Sequence, residues 1–201
     1  MSVPNARTRF IGRPGNRLSS VTVGRGSPGV VLVHGSGSLG LCNWAADLRW
    51  MAEAGLRVLA YDQPCVGESD CDISDRAGLQ RAVATLETAG ASRIFVIAAS
   101  AGGEAAITAA ADPELDLASA VALSPVGAVQ RVRFRTSLLI AGDPADSYLD
   151  LASLRAVATP SLVDLRLVRG GGHAQELLHS GDAAGGPSEF RRELLEFLRN
   201  A

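Results

Sequence analysis

Lysine is missing from this chain of 201 residues, and all 19 of its basic residues are arginine. The absence removes every mechanism that needs a lysine, including a Walker phosphate loop and the Tyr-x-x-x-Lys pair of a short-chain nicotinamide reductase. Cysteine is scarce and odd in number. Cys42, Cys65 and Cys71 fit no zinc-site spacing and are expected as free thiols of a cytoplasmic protein. No apolar run approaches the ~18 residues of a membrane span. The opening stretch, MSVPNARTRFIGR, has no apolar core, so no signal peptide is expected. A net charge of −2 is too small to point to nucleic acid or a membrane as partner. Internal repeats and low-complexity linkers are absent too.

What is present fits one globular domain over residues 1–201, with 47% hydrophobic and 20% charged residues. The start reads as a hairpin or two irregular strands turning at Pro14-Gly15-Asn16. Short continuous apolar runs follow at 30–34, 56–62, 93–100, 118–125, 136–143 and 162–172, as strands buried on both faces should read. Helical spacing lies between them at 43–54, 74–89, 101–111, about 147–158 and 188–200, with Ser74 an N-cap for the second. Residues 181–188 read as a loop within the domain. The alternation predicts an α/β fold: a mostly parallel twisted sheet with helices on both faces.

Two stretches compete for the chemistry. Gly35, Gly37 and Gly40 spell G-x-G-x-x-G after a buried strand, and Asp62 ends the next strand about 20 residues on, the arrangement of a dinucleotide fingerprint. Against it, a strand pair precedes the motif and the following helix begins late. The second stretch is Ala98-Ala99-Ser100-Ala101-Gly102-Gly103 at a strand-to-helix junction. A strained turn there thrusts a hydroxyl above the sheet edge, and only small neighbours leave it room. The N–H of Ala101 would face an oxyanion formed on an attacked carbonyl.

A serine nucleophile needs a base, and histidine suits that task at neutral pH. Of the three histidines, His34 ends a buried strand and His179 reads as a surface residue. His173 lies on a glycine-rich loop at the carboxyl edge, which Ser100 shares. Between Ser100 and His173, the loop after a strand offers Asp143 and Asp146 as the acid, one of them a turn former.

Five stretches, in order, resemble the α/β-hydrolase superfamily: VVLVHGSGS its oxyanion loop, VLAYDQPCVGESD the loop after the next strand, AASAGG the nucleophile elbow, LLIAGDPAD the acid loop and GGGHAQELL the histidine loop. The resemblance implies an α/β-hydrolase fold with Ser100, Asp146 and His173 as catalytic residues and Asp143 as the alternative acid. It makes the Ser36 N–H a second oxyanion donor beside Ala101. Gln63-Pro64-Cys65 departs from the family's Arg-Gly. Only residues 126–135 stand where relatives insert a lid, so no cap domain is expected. His34, Leu39, Cys65 and Val126 are expected around an open pocket. The implied activity is serine hydrolysis of an ester, lactone or thioester of a small acyl substrate, with no metal or cofactor. The alternatives are a lyase, cyclase or small-molecule binder on the same fold, and a dinucleotide-binding protein using the glycines at 35, 37 and 40.

Overall fold

Turn chemistry opens the fold. In the computed structural model, which describes residues 6–127, 132–158, 161–179 and 187–200, strand β1 (Arg7–Ile11) pairs antiparallel with β2 (Leu18–Val23). The turn between them is closed by Asn16 N–H donating to Arg13 O at 3.0 Å. Six further strands follow: β3 (Pro28–Val33), β4 (Arg57–Tyr61), β5 (Arg93–Ala99), β6 (Ser119–Leu123), β7 (Ser137–Gly142) and β8 (Val163–Leu167). They form one sheet in the order β1-β2-β4-β3-β5-β6-β7-β8. The chain gathers into two compact units, residues 1–96 and 97–201.

In the first unit, β4 pairs antiparallel with β2 and parallel with β3. Helix α1 (Ala45–Glu53) packs on β4, and α2 (Asp75–Thr88) packs on β3, β4 and β1. Ser74 caps α2, its side chain accepting the Ala77 N–H at 3.2 Å. A cap of this kind contributes roughly 1 kcal/mol. Leu79, Val83 and Leu86 then recur at helical spacing as the buried stripe.

Two corrections belong to this unit. Cys65 and Cys71 are joined in a disulfide, leaving Cys42 as the free cysteine, so the expectation of three free thiols fails for two of them. The residues lie on one short loop whose ends are drawn together by Cys65 N–H donating to Asp70 O at 3.4 Å, a closeness that spacing alone did not reveal. The helix expected over 43–54 is a short 3₁₀ turn, Gly40–Trp44, followed by α1.

In the second unit, β6, β7 and β8 run parallel. The runs of β6 and β7 are buried almost throughout, whereas β8 ends exposed. Helix α3 (Gly103–Ala109) packs on β6 and α4 (Leu151–Val157) on β8. Helix α5 (Glu189–Asn200) buries Phe190, Leu194 and Leu198. The helix expected from about 147 begins at Leu151 instead, because Asp150 caps it by accepting the Ser153 N–H at 3.1 Å. Residues 146–149 form a turn first, closed by Leu149 N–H donating to Asp146 O at 3.2 Å. Most of the loop expected at 181–188 lies outside the described residues, and so do 128–131 of the short 126–135 segment. No separate cap domain stands among the described residues.

Candidate active site

Ser100 follows β5 directly and opens a 3₁₀ turn, Ser100–Gly102, that leads into α3. Its φ is +55°, in the left-handed region that costs a residue with a Cβ about 1–3 kcal/mol. The small neighbours have a measurable reason. A Cβ on Gly103 would lie 2.7 Å from Pro125 Cβ and 2.8 Å from Pro125 Cα, so the helix can approach the loop after β6 only as glycine. That loop also ties back to the turn through Val126 N–H, which donates to Ser100 O at 3.3 Å.

His173 lies 2.8 Å from Ser100 through its Nε2 and 2.6 Å from Asp146 Oδ2 through its Nδ1. A carboxylate only accepts, so Nδ1 carries the proton and Nε2 presents its lone pair to the serine hydroxyl. The three residues therefore form one directed line of hydrogen bonds within the second unit. The Asp146 side chain is 3% exposed and that of His173 is 30% exposed, so the line runs from a buried carboxylate toward solvent.

The loops that aim these groups share bonds. Asp146 Oδ1 accepts the Tyr148 N–H at 3.0 Å, which leaves Oδ2 for the imidazole. Asp143, three residues earlier, makes the same kind of turn, its Oδ1 accepting the Ala145 N–H at 2.9 Å. Its other oxygen does not reach the imidazole but accepts the Gly172 N–H at 3.2 Å, next to His173. Backbone N–H groups, first Ala145's and then those of residues 170–172, hold this carboxyl below the usual carboxylate range; its burial opposes them. Glu176 adds a second tie, with Oε2 accepting the His173 N–H at 2.8 Å. Gly172 has a φ of +74°, and a Cβ there would collide with the Glu176 carboxylate.

Other expected residues fall elsewhere. His34 is 1% exposed at the end of its buried strand. Its Nε2 accepts the Gln63 N–H at 3.1 Å and its Nδ1 meets Gly35 O at 2.6 Å, as a satisfied core imidazole. Cys65 is exposed but bonded to Cys71, so it presents no free thiol. Leu39 and Val126 are exposed apolar side chains, and His179 is exposed after the turn that follows His173. Ser36 is exposed in the loop after β3. The dinucleotide alternative loses its acid: Asp62 is buried with Oδ1 accepting the Leu41 N–H at 2.7 Å, and a Cβ on Gly40 would strike that same oxygen.

Two neighbours of the line escaped sequence reasoning. Tyr148 is 66% exposed, and its ring centroid stands 5.2 Å from that of His173. Nothing in the sequence marks it out. Glu176 carried a signal, because a Glu three residues after a helix-opening residue is the pattern of a capping box.

A model of the Alpha/beta hydrolase family matches residues 30–197. No curated protein is similar enough to the chain to count as a relative. Several solved structures resemble it in fold. An esterase of Pyrococcus furiosus shares 16% identity over 97% of this chain and 92% of its own, with a TM-score of 0.76. A predicted CIB-like hydrolase from Thermoplasma acidophilum shares 24% over 98% and 99%, with a TM-score of 0.68. A serine hydrolase without lid from Xanthomonas campestris shares 15% over 86% and 88%, with a TM-score of 0.69.

Proposed function

The chain belongs to the alpha/beta hydrolase family, and from that premise we propose that it is a serine hydrolase cleaving a carboxylic ester, lactone or thioester through an acyl-enzyme intermediate. The observation that supports this reading is the line Asp146–His173–Ser100, with contacts of 2.6 and 2.8 Å. Ser100 Oγ attacks the carbonyl carbon as its proton passes to His173 Nε2. Asp146 keeps Nδ1 protonated and stabilises the imidazolium that forms. The Ala101 N–H stabilises the oxyanion, joined by the Ser36 N–H, which enters by family resemblance. The imidazolium returns its proton to the leaving group, and water, deprotonated by the same nitrogen, releases the acyl chain. The chemistry calls on no metal or cofactor.

The substrate is a small acyl compound rather than a nucleic acid or a lipid surface, with Tyr148 and Val126 as exposed apolar contacts for it. No helix among the described residues is long and apolar enough to cross a membrane. The expectation of a cytoplasmic protein rests on free thiols, and the Cys65–Cys71 bridge suits an oxidising compartment instead.

A fluorophosphonate probe tests the assignment. Labelling mapped to Ser100, and lost in Ser100→Ala, is the expected result. A folded protein that resists the probe would shift the reading to a lyase, cyclase or binding protein on this fold.

A further inference from the structure

The first unit carries a groove with a volume of about 610 Å³ whose lining, among the described residues, includes Arg7, Arg9, Arg25, Arg57 and Arg81 and no acidic residue. Five of the chain's 19 arginines thus share one surface in a protein of net charge −2. Their convergence follows from the local structure. Arg7 pairs with Thr22 and Arg9 with Ser20 across the β1–β2 hairpin, so all four side chains project from one face. Helix α2 supplies Arg81, Thr85 and Thr88 at helical spacing from the other wall. Arg57, at the start of β4, donates from Nη2 to Arg25 O at 3.1 Å and brings those two together.

Gathering like-charged guanidiniums raises the energy of the empty groove. Charged side chains on β1, the edge strand, guard against edge pairing. That role accounts for Arg7 and Arg9, and Arg81 ties α2 to the β1–β2 turn by donating to Asn16 O, but neither role accounts for Arg25 and Arg57. Arg57 Nη1 is also buried without a hydrogen-bond partner among the described residues, a costly condition that an incoming acceptor would relieve.

We infer that this groove binds a phosphoryl or diphosphoryl group carried by a small organic molecule, at a site separate in role from Ser100. Forked guanidinium donors match phosphate oxygens two at a time, and five of them exceed what one carboxylate can satisfy. The Thr22 hydroxyl adds a neutral donor, whereas those of Ser20 and Thr85 already donate to Arg9 O and Arg81 O. The groove is of small-molecule size, within the roughly 300–1,000 Å³ of ligand sites, and leaves room for an organic body beyond the phosphates.

Titration calorimetry of the whole chain with inorganic pyrophosphate and with ADP, at low ionic strength, tests the inference. Both should bind saturably, ADP the more tightly. The double variant Arg7→Gln/Arg9→Gln, exposed on the edge strand, should weaken both by about tenfold or more while melting at the wild-type temperature. Arg57→Gln should do the same; if it does not fold, the edge-strand variant decides alone. Absence of saturable binding, or binding unchanged in the double variant, would overturn the site. ADP binding no tighter than pyrophosphate would overturn the organic ligand. Binding to phosphatidylglycerol vesicles with none to ADP would replace it with a membrane surface. Binding to a DNA duplex that pyrophosphate does not displace would replace it with nucleic acid.

Discussion

The Ser100 line and the arginine groove are both concentrations of polar groups, yet they are built on opposite plans. Around Ser100, the charged and polar groups complete one another. Asp146 answers His173 and Tyr148, Asp143 answers Ala145 and Gly172, and Glu176 answers the His173 backbone. In the groove, five arginines line one surface without a carboxylate among its described residues, and the buried Arg57 Nη1 has no hydrogen-bond partner among them. A closed network holds its atoms in place before any ligand arrives, which is what catalysis by preorganised groups requires. An open set of like charges gains its order from what it binds. The first plan is broken by removing one member; the second is altered by changing the ions around it.

The largest expected effect comes from breaking the line at its centre. His173→Ala should lower ester turnover by roughly 10⁴-fold or more, while His179→Ala leaves it near wild type. Steady-state rates on a short p-nitrophenyl ester decide this, and equal losses would refute the choice of His173.

Next come the two aspartates. Asp146→Asn should cost roughly 10⁴-fold in turnover with the fold intact, because the amide favours the wrong imidazole tautomer. Asp143→Asn puts an amide NH₂ toward a backbone N–H and should lower the melting temperature, holding turnover within about tenfold. Rates and melts on the same preparations separate the two roles; the opposite pattern would exchange them.

A structural break sharpens the same contrast. Gly103→Ala drives a Cβ into the Pro125 backbone and should destabilise the protein by roughly 1–3 kcal/mol in a denaturant titration. Gly37→Ala, where an added Cβ meets nothing within 4 Å, makes no such clash and carries only the cost of its φ of +116°.

The smallest effect is on acid stability. The folded Asp143 carboxyl titrates below its ordinary 3.8, held down by the Ala145 and neighbouring N–H groups. Its contribution is complete above the unfolded value and is lost as pH falls through the lower, folded one. Wild type should therefore lose melting temperature more steeply than Asp143→Asn below about pH 4. Parallel curves would remove that role from Asp143.

The fold was legible because its strands are continuous apolar runs and Ser74, a side-chain cap, marks where α2 begins. Ser100 could be picked out because a strained turn packed against Pro125 admits only small residues nearby, and that requirement is written in composition. The two aspartates were a different matter. Both open the same kind of turn, and only the direction of the second oxygen separates them, a consequence of the path taken between β7 and α4. Tyr148 was invisible for the same reason: its place beside His173 comes from where the turn after Asp146 sends it. The cysteine pair was misread because an odd count says nothing about which loop brings two sulfurs together. The start of α4 shifted because Asp150, rather than a residue near 147, supplies the cap.

The Cys65–Cys71 bridge closes a ring of chain around exposed Gly67 and Glu68. A protease that cuts between those two residues leaves fragments still joined by sulfur. On a denaturing gel such a nicked molecule runs near full length, and it separates into two bands only after a reductant is added.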